Sequence, residues 1–196
     1  MIISKSLRYV YIAIPRTGSK SMSQWLVDHY QGEWFGRHHE WRVPEACRDY
    51  LVFTMIRNPY EIQASGWYFE PVIQPEDAPP KPKTYAQAAR DWVPPADEPT
   101  LQKEFVEWSG ISQIMYFEHL PACLAELPFV DPAHVPPFPH LNAGGYRPNG
   151  DFFEIMAPED EAIVWDSARE DFDFFGYERY DSDGPRVPNR SLWRPR

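Results

Sequence analysis

The sequence predicts an α/β fold on a mainly parallel sheet, because strand-like apolar runs alternate with helical patterns and at least two of those runs end in turns that open a helix. The first run, Arg8 to Ile14 (RYVYIAI), is β-branched and aromatic with little polar alternation, as a parallel strand covered on both faces should be. It feeds the turn PRTGSKS, after which Met22, Trp25, Leu26 and His29 recur at helical spacing, so His29 is placed on the apolar face of a helix ending near Gly32. The second run, Tyr50 to Ile56 (YLVFTMI), leads into Arg57, Asn58 and Pro59, where Asn58 suits an N-cap and Pro59 the first helical position. A weaker strand at Ile114 to Phe117 is followed by Glu118 and a short helix opened by Pro121. The last helix starts at Pro158, with Glu159, Asp160 and Glu161 in its first turn, and stops by Gly176.

A chain of 196 residues, 43% hydrophobic and 16% aromatic, suits a single packed domain over residues 1–196. Eight prolines between Pro71 and Pro99 surround one short helical pattern, TYAQAARDW, and mark a surface excursion at about 71–99 that either covers a site or merely connects. The tail at 181–196 reads as irregular. Cys47 and Cys123 lie far apart without a CxxC pair or a His/Cys cluster, which argues for reduced thiols over a disulfide scaffold or a structural zinc. No stretch approaches the roughly 20 apolar residues of a membrane span, and the start reads as a strand, not a cleavable leader, so the expected location is cytoplasmic. The net charge of -10 disfavours a nonspecific nucleic-acid or anionic-membrane binder, and an anionic ligand must therefore meet a local site.

In parallel sheets ligands gather beyond the carboxyl ends of the strands, where both turns fall. Arg16, Thr17, Gly18, Ser19, Lys20 and Ser21 combine a glycine turn, hydroxyls, two cations and a helix start, whose unbonded N–H groups carry partial positive charge. An ordinary capped helix with surface cations is the plain alternative. A Walker A loop requires GxxxxGK[ST], but Ala13 stands where its first glycine belongs and Ser19 separates Gly18 from Lys20.

The string IPRTGSKS resembles instead the 5'-phosphosulfate loop of the sulfotransferase family, whose carbohydrate-type members carry IPKTGxTS after their first strand. Arg16 takes the place of the family lysine and Lys20 that of a usual hydroxyl; the guanidinium keeps the charge but spreads it over a planar fork. The segment FTMIRNPYEIQASGWYF is similar to the family's 3'-phosphate segment, with Ser65 eight residues beyond Arg57, though Ile62 stands where another arginine is common. YFEHL, PHLNAGG and the terminal DFDFFGY echo later segments, with Arg147 a further 3'-phosphate candidate.

The resemblance implies a three-layer, P-loop NTPase-like sulfotransferase architecture. It also implies 3'-phosphoadenosine 5'-phosphosulfate as donor, no metal, and transfer to an acceptor hydroxyl, first of all on a saccharide. Arg16 would act at the leaving group, residues 16–21 would hold the phosphosulfate, and Arg57 with Ser65 the 3'-phosphate. The acceptor proton needs a base, for which the interval between the two motifs offers His39 first, then His38, with Glu40 as the carboxylate alternative or as orienter of an imidazole. Trp67 and Tyr68 are equally candidates for an acceptor cleft and for core. A metal-dependent nucleotide kinase and a noncatalytic nucleotide-binding relative are the competing readings.

Overall fold

The computed structural model describes residues 1–73, 98–141, 158–179, 188 and 192–193. Strands β1 (Ile2–Ser4), β2 (Tyr9–Ile12), β3 (Glu33–Trp34), β4 (Leu51–Ile56), β5 (Gln113–Tyr116) and β6 (Leu192–Trp193) form one sheet in the order β3-β1-β2-β4-β5-β6. Helices α1 (Ser19–His29), α2 (Pro59–Ile73), α3 (Gln102–Ser109), α4 (Pro158–Ser167) and α5 (Arg169–Phe175) pack around it.

The sheet is mixed, which corrects the expectation of a mainly parallel one. β4 lies parallel to β2, pairing Tyr9 with Leu51 and Ile12 with Thr54, and parallel to β5, pairing Phe53 with Gln113 and Ile56 with Tyr116. β1, β3 and β6 are antiparallel additions at the two flanks. These flanking strands are two or three residues long, too short to show a period-2 pattern in the sequence. One of them, β6, falls in the tail expected to be irregular.

The central strands read as continuous apolar runs because both faces are covered. Val10, Ile12, Val52, Ile56 and Ile114 face a core shared with Tyr60, Phe105, Val164, Phe172 and Phe175. Tyr9, Tyr11, Phe53, Met55 and Met115 face the other, which Met22, Trp25 and Leu26 of α1 complete with Leu124 and Leu127. Trp25, fully buried, donates its indole N–H to the carbonyl of Pro136 at 3.2 Å, so this large ring carries no orphan donor into the core. His29, by contrast, is exposed at the last turn of α1, off the apolar face where its spacing had placed it.

Asn58 caps α2 as its sequence position suggested: its side-chain oxygen accepts the Tyr60 N–H at 3.0 Å and its carbonyl the Ile62 N–H at 3.0 Å. Gly176, at φ 75°, ends α5 in the left-handed conformation. Cys47 and Cys123 are buried free thiols, and burial pushes the Cys123 thiol up to about 12. No helix among the described residues is long and apolar enough to cross a membrane. Most of the proline-rich excursion, the segment around Arg147 and most of the tail lie outside the described residues.

Candidate functional site

The parallel strands β2, β4 and β5 run into three corners at one edge of the sheet. At the first, Thr17 is buried and its hydroxyl donates to the Ile14 carbonyl at 2.9 Å, folding the chain back as soon as β2 ends. Arg16 at φ 65° and Gly18 at φ 76° both adopt the left-handed region. For a non-glycine residue such as Arg16 that conformation costs on the order of 1 kcal/mol, which the surrounding contacts must offset. Helix α1 starts at Ser19 with no side-chain cap and no acidic residue in its first turn. Its leading N–H groups therefore present partial positive charge, beside the half-buried Arg16 and the exposed Lys20.

At the second corner Arg57 leaves β4 with its backbone held twice by one side chain. Gln102, at the start of α3, accepts the Arg57 N–H at 2.8 Å and donates to the Arg57 carbonyl at 2.9 Å. The guanidinium folds back toward the first corner. Its Nη1 donates to the Arg16 carbonyl at 3.3 Å, its Nη2 donates to Glu61 at 2.9 Å, and its Cζ lies 4.5 Å from the centre of the Phe117 ring. Only 15% of the Arg57 side chain is exposed, so both the ion pair and the cation–π contact act in a partly desolvated setting, where the latter is worth about 1–2 kcal/mol.

The third corner supplies Phe117 and Glu118. A Cβ added to Gly18 would meet the Phe117 ring at 2.8 Å, so the ring is wedged between the Gly18 backbone and the Arg57 guanidinium. Glu118 accepts the Asn58 N–H at 2.6 Å and the Tyr177 hydroxyl at 2.9 Å. Burial pushes its carboxyl above the ordinary range, opposed by those two hydrogen bonds and by the charge of Arg57. All three corners thus meet through Phe117 and Glu118, which belong to the YFEHL segment but had been given no role there.

The segment 36–40 brings the histidines to the first corner. Nδ1 of His39 lies 2.7 Å from the Ala13 carbonyl, and because a carbonyl only accepts, Nδ1 carries the proton and Nε2 keeps its lone pair. Although His39 retains an exposed edge, crowding by the chain lowers its pKa, and the nearby charges of Arg16 and Lys20 lower it further against the bond to Ala13. His38 lies 3.2 Å from the Ser19 hydroxyl through Nε2, and its ring centre is 4.4 Å from that of His39. Burial first, then the neighbouring positive groups, bring His38 down to about 4. Both shifts favour the neutral imidazole. Glu40 turns instead to the backbone, accepting the N–H groups of Trp41 and Arg42 at 3.2 Å, with Arg37 at 3.9 Å, and so engages neither imidazole directly.

The remaining candidates are less gathered. Ser21 accepts the Leu141 N–H at 3.0 Å, which docks the PHL segment onto α1. Ser65 lies on the face of α2 that carries Glu61, one turn further on, and no hydrogen bond joins it to Arg57. The side chains of Trp67 and Tyr68 and all of Arg147 are outside the described residues.

No protein-family model, curated protein or solved structure matches the chain.

Proposed function

We propose that this chain transfers a sulfuryl group from 3'-phosphoadenosine 5'-phosphosulfate to an acceptor hydroxyl, on a P-loop-like three-layer scaffold. The observation that carries the reading is the contact between the two motifs: the Arg57 guanidinium donates to the Arg16 carbonyl at 3.3 Å, so the turn that resembles a phosphosulfate loop and the arginine that resembles a 3'-phosphate ligand stand side by side.

In this reading the first-turn amides of α1, with Arg16 and Lys20, hold the phosphosulfate and stabilise charge on the departing phosphate. Arg57 holds the 3'-phosphate, for which its partner Glu61 must swing aside, with Ser65 available on the same helix face. His39 Nε2 takes the acceptor proton as the new oxygen–sulfur bond forms. The sulfur–oxygen bond to the 5'-phosphate breaks in line, and its electron pair leaves with adenosine 3',5'-bisphosphate. The arginine and lysine charges do the work that a metal does in phosphoryl transfer.

The test is a thermal-shift comparison followed by donor turnover. Adenosine 3',5'-bisphosphate should stabilise the chain more than ATP with magnesium. The shift should shrink at least tenfold in apparent affinity for Arg57→Ala and Arg16→Ala, and grow for Glu61→Gln, which removes the competing carboxylate. The reverse nucleotide preference would support a kinase, and nucleotide binding without donor hydrolysis or acceptor sulfation would support a noncatalytic relative.

A further inference from the structure

Next to the first two corners lies a pocket of about 340 Å³. Its wall is formed by Ile14, Pro15, Pro59, Ile62, Leu101 and Phe105. Pro59 and Gln63 lie on the side of α2 turned away from Glu61 and Ser65, and Ile62 lies between the two sides, so the pocket adjoins the place where Arg57 would grip a phosphate and is entered from the far side of the helix at Gln63.

Most polar groups on the wall are already engaged by the protein. Thr100 donates its hydroxyl to Glu104 at 3.0 Å, and Gln102 uses both ends of its amide on the Arg57 backbone. Asp171, 3% exposed, accepts the N–H groups of Gln102 at 3.0 Å and Lys103 at 2.8 Å. Glu98 pairs with Arg37 at 3.1 Å. Gln63 alone among these side chains makes no hydrogen bond to another described residue.

Two contacts tie the pocket to the histidines. His39 is bonded to Ala13, the residue before the wall residue Ile14, and Arg37, two positions before His39, is the partner of Glu98 on the rim. From this geometry we infer that the pocket binds the acceptor, and that the acceptor is a small, uncharged, mainly apolar alcohol or phenol of one or two rings.

The size fits, since ~150 Å³ of apolar cavity already holds one benzene ring. A saccharide would bring four or five hydroxyls to a wall whose described side chains leave one amide unengaged, and each unmatched hydroxyl would be desolvated without return. Among the described residues, the lining contains no Lys, Arg or His to pair with the carboxylate of a ligand. This assignment of the pocket as acceptor site rests on the sulfuryl-transfer reading, whereas its ligand class rests on the wall alone.

The experiment titrates the full chain with 2-naphthol, 2-naphthoate and N-acetylglucosamine, each with and without adenosine 3',5'-bisphosphate, in wild type and in Gln63→Trp and Gln63→Ala. Gln63 is half-buried on α2 on the side opposite Glu61 and Ser65, so an indole there fills the pocket without entering the phosphate face. The expected result is 2-naphthol binding that weakens at least tenfold in Gln63→Trp, at least tenfold weaker binding of 2-naphthoate, and unchanged affinity for the bisphosphate. Naphthol binding indifferent to both substitutions, or tighter binding of the sugar that Gln63→Trp abolishes, overturns the inference. If naphthol binds as expected but the bisphosphate does not bind wild type, the sulfuryl-transfer reading and the acceptor role fail together, and the pocket remains a site for apolar alcohols.

Discussion

Gly18→Ala is the most informative single perturbation, because two independent costs converge there. At φ 76° an alanine pays about 1–2 kcal/mol for the left-handed conformation. Its Cβ would also stand 2.8 Å from Cε2 and 3.1 Å from Cδ2 of Phe117, with the Met55 methyl at 3.3 Å. Reaching ordinary contact requires the ring to retreat by roughly half an ångström, and overpacking of that kind costs about 1–3 kcal/mol. The total is about 2–5 kcal/mol, equivalent to a fall in melting temperature of roughly 5–15 °C for a chain of this size. Because the retreating ring also carries Arg57, affinity for adenosine 3',5'-bisphosphate should fall by more than the stability change alone explains.

The assay is urea unfolding of Gly18→Ala, Phe117→Leu and the double variant. The smaller side chain at 117 should relieve the contact and leave only the backbone cost, giving a coupling energy of about 1 kcal/mol or more. Strict additivity, or a Gly18→Ala variant as stable as the parent, would refute the wedge.

Three further outcomes follow from the same geometry. The lowered pKa of His39 places the acid limb of any donor-turnover profile below the ordinary imidazole value near 6.5, because the base loses its lone pair only once pH falls through its own pKa; a limb above 6.5 would exclude it, and His39→Gln should abolish the limb. Glu118→Ala strands the Asn58 N–H and the Tyr177 hydroxyl and should cost about 2–4 kcal/mol in chemical denaturation, whereas Tyr177→Phe should cost less than half of that. Asp171 is raised from 3.8 to about 6 by burial, so between those values the folded chain holds a proton that the unfolded chain has lost; stability contributed below pH 4 should decline as pH rises to 6, and Asp171→Asn should flatten that slope in pH-dependent unfolding.

The parts of the fold legible in the sequence were those with a local physical signature. The buried parallel strands announced themselves as unbroken apolar runs, Asn58 and Pro59 as a cap, and Gly176 as a helix stop, although the single helix expected from Pro158 breaks at Ala168 into α4 and α5. The start was read as a strand but not as the antiparallel pair β1 and β2, and β3 and β6 were not legible, since the stability of such short strands comes from a neighbour's edge and leaves no pattern within two or three residues. Helix α3 was also missed: its eight residues are anchored from a distance by Asp171, and Glu104 closes its first turn onto Thr100 and Leu101. At the site the same division holds. The Arg57 turn and the loop 16–21 could be read because motif spacing is local. Gln102 could not, and Phe117 and Glu118 could be placed in the YFEHL segment without their roles, because each acts on a residue at least 45 positions away or through a glycine whose neighbour no spacing reveals.

The side chain of Gln102 behaves toward Arg57 as an adjoining strand would, offering an oxygen to the amide and a nitrogen to the carbonyl of one residue. Strand-type pairing of β4 is thereby extended one step past the sheet by a group that brings no second strand with it. Only a carboxamide can play both parts. A glutamate there would aim a lone pair at a carbonyl, and a methionine of similar length would leave both valences to water. The direction in which residue 57 sets out from the sheet is thus written partly into α3, so a change at the head of that helix would redirect the guanidinium without touching it.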